Sequence, residues 1–121
     1  VMSGADTRLT EAFALGAAGC TGGIVNIVPE LMLDIYHCCT AGRPQEAAVS
    51  AARMVEVGRV IDQITFPLNV AAGLAARGYA PGVSKSIVSP ASRALSASIE
   101  AELRTLLVHW GLALGPAPVA A

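Results

Sequence analysis

Between Glu11 and Glu30 lie 18 uncharged residues, and Gly16, Gly19, Gly22, Gly23, Asn26 and Pro29 are set among them. A run of that length meets the lower limit for a helix that crosses a bilayer. These six residues weaken such a helix along its whole length. The flanks lack the basic and aromatic residues that anchor spans, and no targeting segment is visible, so no membrane location is expected. The run divides instead into helix, strand and loop. RLTEAFAL, from Arg8 to Leu15, has Leu9, Ala12 and Phe13 at helical spacing with Gly16 as a stop. GCTGGIV then mixes small residues with β-branched Thr21, Ile24 and Val25, which suits a buried strand from Cys20 to Ile24.

The opening residues VMSG read as another apolar strand, Val1 to Ser3, running into a turn. The fourteen residues between Gly4 and Gly19 hold one helix, the crossover length that parallel pairing needs. Every later element reads as helix. One begins at Pro29, continues to about Thr40 and stops at Gly42, with Glu30 in the first turn where the helix dipole favours an anion. The next runs from Pro44 to Ile64, with Ala47, Ala48, Ala51, Met54, Val55 and Ile61 on one face. Gly58 falls on that face and would let a partner element approach closely. A shorter helix follows Pro67, and Tyr79 to Gly82 reads as a turn. The last helix runs from Pro90 or Ala91 to Trp110, with Ser89 as its cap and Leu95, Ile99, Leu103, Leu106 and Leu107 at helical spacing. GPAPVAA, residues 115–121, reads as a loose tail.

Two parallel strands bury too little to stand alone. Composition points the same way. The chain of 121 residues is 54% apolar and 14% charged, against ~25% charged in ordinary soluble domains. More surface is therefore hidden than one small domain can hide, and a larger assembly, a homo-oligomer, is expected. Because Val1 already lies in a strand, the start looks cut. The eight cations, seven arginines and Lys85, are scattered and the net charge is −1, so nucleic-acid binding has no support. Cys20, Cys38 and Cys39 form no disulfide framework, which favours a reducing, cytoplasmic setting.

Few residues carry chemistry on their own. SGAD, Ser3 to Asp6, puts a glycine and a carboxylate directly after a strand, where barrel enzymes place their reactive groups; a turn glycine beside a solvated acid is the plainer alternative. GCTGG either lets a ligand approach the backbone or packs a strand closely on a helix. The phosphate-loop pattern is absent, since Lys85 stands far from any glycine-rich loop. His37, Cys38 and Cys39 are consecutive on a helix, so they point ~100° apart and cannot converge on a metal. His109, beside Trp110 near a helix end, reads as a surface or dipole-stabilised histidine, and no Ser, His and Asp arrangement stands out. Neither metal nor cofactor is expected.

VMSGAD, ALGAAGCTGGIVNIVPELM, AGRPQEA and SPASRALSASIEAELRTLL resemble, in order and spacing, the C-terminal part of the dihydrodipicolinate synthase and N-acetylneuraminate lyase family. The run from Gly16 through Asn26 to Pro29 is the most specific piece. The resemblance extends from Val1 to about Leu114 and covers about the last two-fifths of a family member. It implies the following. The fold is an α/β TIM barrel of which residues 1–42 are the last two β/α units, residues 43–114 are a C-terminal helical segment, and this chain is mainly α. Members are usually homotetramers and class I aldolases, in which a lysine on the sixth strand forms a Schiff base with pyruvate and a tyrosine on the fifth moves protons.

Neither of those strands is in this chain, and Lys85 falls in the helical segment, so the catalytic residues lie outside it and the chain alone is expected to be inactive. By the same resemblance Gly4 lies against bound substrate, Asp6 matches an acid that holds sugar hydroxyls in the sialic acid lyase branch, and Thr21 with Gly22 lines the pocket beside the Schiff base. The substrate implied is a small 2-keto acid of the pyruvate type. The sequence departs from the family at Thr21, where isoleucine is frequent, at Thr7, where the sialic acid branch has an acid, and at FPLNVAAG. A dihydrodipicolinate synthase-like enzyme, a 2-keto-3-deoxy sugar acid aldolase and another pyruvate-linked lyase therefore fit alike. A non-catalytic helical module for oligomerisation, using the apolar faces of the Pro44 and Ala91 helices, is the alternative.

Overall fold

The computed structural model describes residues 1–112, 114 and 115. They divide into two compact units, residues 1–59 and the residues from Val60 onward.

The first unit opens with β1 (Met2–Ser3), a 3-10 turn at Asp6–Arg8, α1 (Leu9–Ala14) and β2 (Gly19–Cys20). The strands pair in parallel, Met2 opposite Gly19 and Ser3 opposite Cys20. Backbone hydrogen bonds from Ala18 to the Val1 carbonyl and from Thr21 to the Ser3 carbonyl, both 2.8 Å, extend the ladder at either end. The expected strand, helix, strand unit is present, and Gly16 ends α1 at φ 89°, a backbone state glycine adopts without strain.

The second strand is shorter than its β-branched residues suggest. It stops at Cys20, and Ile24, expected in the strand, opens α2 (Ile24–Ile27). Two glycines break the extended run, and Ile24 and Ile27 are both buried at helical spacing. Val1 likewise lies outside β1.

α3 (Pro29–Thr40) starts on its proline with Glu30 in the first turn, and Gly42 follows its end at φ 73°. Leu31 and Ile35 form its buried face. Phe13 of α1 meets Tyr36 of α3 edge to face, with ring centroids 5.6 Å apart.

The helix expected over Pro44 to Ile64 is trimmed at both ends, into a 3-10 turn at Pro44–Ala47 and α4 (Ala48–Ile61). Its buried face is also rotated from the expected one. Ala47, Met54 and Ile61 are buried as anticipated, but Val57 joins them, whereas Ala48 and Val55 face outward. Ser50 explains part of the difference: its hydroxyl donates to Asp34 of α3 at 2.5 Å, so a polar residue sits on the buried stripe. Apolar spacing alone gives no sign of that bond.

In the second unit α5 (Leu68–Ala76) packs on α6 (Pro90–His109). The buried residues of α5 are small, Ala72, Gly73 and Ala76; those of α6 are large, Ile99, Leu103 and Leu107. Residues 79–89 run without helix or strand; the turn lies at Arg77 and Gly78, just ahead of the expected Tyr79 to Gly82. Ser89 caps α6 by accepting the Ser92 N–H at 3.1 Å, with Pro90 next to it. Ser89→Ala is expected to lower stability by about 1 kcal/mol, read from urea unfolding followed by circular dichroism; an unchanged midpoint would show the cap to be idle. The expected tail lies outside the described residues apart from Gly115. Among the described residues no helix is long and apolar enough to cross a membrane.

Candidate functional site

Parallel pairing sends the chain out of β1 and β2 on the same side, into residues 4–7 and residues 21–23. Local bonds shape each loop. The Ser3 hydroxyl accepts the Ala5 N–H at 3.1 Å, which turns the backbone at Gly4. The Asn26 amide donates to the Gly22 carbonyl at 2.9 Å, which ties the second loop to α2.

Asp6 joins the two loops. One carboxylate oxygen accepts the Ile24 N–H at 2.8 Å and the other accepts the Cys20 thiol at 3.3 Å. A Cβ at Gly22 would overlap that carboxylate, so the acid fills the space that a side chain at Gly22 would take. A Cβ at Gly4 would stand 3.8 Å from the Thr21 carbonyl, an ordinary contact. Gly4, Asp6, Thr21 and Gly22 therefore meet at one place, although nothing local in the sequence links the first pair to the second. Gly4 and Thr21 are exposed; Asp6 and Gly22 are half-buried.

The Cys20 thiol is pushed up to about 11, first by burial and then by the hydrogen bond and charge of Asp6. It stays protonated near neutrality and is not a nucleophile there. Beside the loops, α4 passes close: a Cβ at Gly58 would lie 2.8 Å from the Thr7 methyl and 3.4 Å from Ile24 Cδ1. The close approach expected at Gly58 is thus made to these two loop neighbours. Sequence reasoning missed the partners of Asp6, since Cys20 and Ile24 stand 14 and 18 residues away from it. The one available signal was the Gly22 and Gly23 pair before a turn of helix.

Lys85 is exposed in the second unit, where with Phe66, Leu68, Leu74 and Val83 it lines an open groove of about 860 Å³. His37 is exposed and Cys38 and Cys39 are half-buried on α3, and among the described residues no three His, Cys, Asp or Glu side chains are grouped as metal ligands. His109 is exposed in the last turn of α6.

Comparison with known proteins gives relatives but no structure. The chain is 26% identical over 105 residues to an uncharacterized DapA-like lyase of Halobacterium salinarum, a match that takes in 87% of this chain and 34% of the relative. It is 29% identical over 113 residues to the 4-hydroxy-tetrahydrodipicolinate synthase of Anaeromyxobacter dehalogenans, with 93% of this chain and 37% of that enzyme covered. The chain thus spans about a third of the length of these curated relatives. No solved structure gives a significant match. The model of the dihydrodipicolinate synthetase family matches residues 1–107, through both strands, their loops and most of α6, and the chain belongs to that family.

Proposed function

We propose that this chain is the C-terminal part of a Schiff-base-forming lyase that condenses or cleaves pyruvate-linked substrates. On this reading residues 1–42 are the last two β/α units of a TIM barrel and residues 43–114 its helical segment. The meeting of Gly4, Asp6, Thr21 and Gly22 at the exits of a parallel pair carries the reading, because barrel enzymes build their sites at the C-terminal ends of their strands. The family match and the lyase names of the relatives support it.

The chain supplies the wall of the pocket. Gly4, without a side chain, lets a substrate lie against the backbone, and Thr21 offers a hydroxyl to a substrate carboxylate or hydroxyl. The reactive amine and the proton-moving tyrosine come from the preceding barrel strands. A Schiff-base lysine works from a closed, water-excluding pocket, whereas Lys85 is exposed in an open groove. The whole protein is then a homotetramer of the cytoplasm acting on a 2-keto acid of the pyruvate type.

The test is borohydride trapping. Lysine attack on the keto carbon expels water, and reduction of the imine leaves a stable secondary amine. With pyruvate and borohydride the mass of this chain alone is expected to stay unchanged. A chimera in which it replaces the matched part of the Anaeromyxobacter synthase is expected to gain the adduct on a lysine outside this chain. An adduct at Lys85, or a folded chimera that gains none, would overturn the reading.

A further inference from the structure

We infer that Asp6 is a positioning residue: its carboxylate clasps the loop after β2 onto the loop after β1, and position 22 is glycine to leave room for the clasp. The pocket-wall consequence rests on the proposed function; the clasp itself stands on geometry alone.

Three observations converge. Both carboxylate oxygens of Asp6 are engaged by donors at the two ends of the other loop, the Ile24 N–H at the start of α2 and the Cys20 thiol at the end of β2. Gly22 is not among the glycines at positive φ, so its backbone would accept alanine, and the three atoms nearest to where a Cβ would go all belong to the Asp6 carboxylate. The carboxylate is half-buried between the loops, so turning it away from Gly22 would give up both hydrogen bonds. An acid held in this way sets the spacing of Gly4 and Thr21. It does so without touching substrate hydroxyls, which is a different task from the one its family counterpart implies.

The two tasks respond differently to asparagine. The amide oxygen of Asp6→Asn can still accept the Ile24 N–H, and its NH₂ can donate to the Cys20 sulfur, so the clasp survives while the charge is lost. Asp6→Ala removes both bonds. Gly22→Ala expels the carboxylate. In the double variant the new methyl group fills the space the carboxylate has left, so the damage is not additive.

Cys20 reports on the clasp directly. In a Cys38→Ser, Cys39→Ser background of the 121-residue chain, alkylation of Cys20 is followed against pH by mass spectrometry, with the urea-unfolded chain as reference. The parent is expected to show a midpoint of about 11. Asp6→Asn should lower the midpoint by less than about one pH unit through loss of charge, yet keep alkylation below the unfolded rate. Asp6→Ala and Gly22→Ala should each approach the unfolded rate, and the double variant should recover most of the protection that Gly22→Ala loses. Gly22→Ala behaving as the parent, additive losses in the double variant, Asp6→Asn as damaging as Asp6→Ala, or an unprotected parent would each overturn the clasp.

In the chimera, Asp6→Ala is expected to raise KM about tenfold more than it lowers kcat, and Asp6→Asn to recover most of that loss. If asparagine recovers none of it, Asp6 acts on substrate and the positioning role fails. A chimera without lyase activity, with the thiol results intact, would sink the Schiff-base reading and leave the clasp standing.

Discussion

Purified on its own, this chain of 12.3 kDa is expected to elute from a sizing column as associated species rather than as a monomer. Among the described residues β1 and β2 have only each other as strand partners, so both margins of the pair present unpaired N–H and C=O groups. Apolar residues stand in water beside them and elsewhere: Met2 is 58% exposed, Leu15 89%, Phe66 75% and Val83 95%. Scattered single residues of this kind are ordinary, but open strand margins together with large bare side chains favour association. Addition of a polypeptide that supplies the flanking strands should convert the material to a defined oligomer. A compact monomer, stable over the concentration range, would show that these surfaces need no cover and would remove the main physical reason for a larger barrel.

Truncation of the α6 core is expected to have the largest effect on stability. Leu103 is fully buried in the helix that packs on α5, and the residues α5 buries are small, with short side chains that have little reach into a void. Leu103→Ala should cost about 2–5 kcal/mol, a large share of the 5–15 kcal/mol typical of a domain. Val108 lies five positions on in the same helix but is 59% exposed, and Val108→Ala should change stability by less than about 0.5 kcal/mol. Urea unfolding followed by helical circular dichroism separates the two. Equal effects would mean that the buried face of α6 has been misassigned.

The legible parts of the fold are those in which local chemistry and burial agree. Pro29, Ser89 and Pro90 start helices where they stand, and Gly16 and Gly42 end them, because cap and proline chemistry acts within one turn. Ile99, Leu103 and Leu107 lie inward as their spacing requires. The errors fall where a distant partner decides. Ile24 looks like a strand residue by its branching, yet the Asp6 carboxylate takes its N–H and it begins a helical turn. Ser50 looks like a surface residue, yet Asp34 holds it inward and the stripe of α4 turns with it. SGAD and GCTGG stand out on their own as candidate loops, but the individual roles of Gly4, Asp6, Thr21 and Gly22 come from resemblance, and a pattern of single residues does not supply the bonds that join them.

The close passage of α4 at Gly58 has an engineering consequence. A side chain added there would press on the Thr7 methyl, 2.8 Å from the Cβ position, while Ile24 Cδ1 at 3.4 Å would come into contact, so the first loop is the one a change at position 58 reaches from outside. On the proposed reading, libraries that diversify only residues 4–7 and 21–23 would leave this lever untouched; a graded series of small residues at position 58 would shift the loop after β1 without changing any residue of either loop.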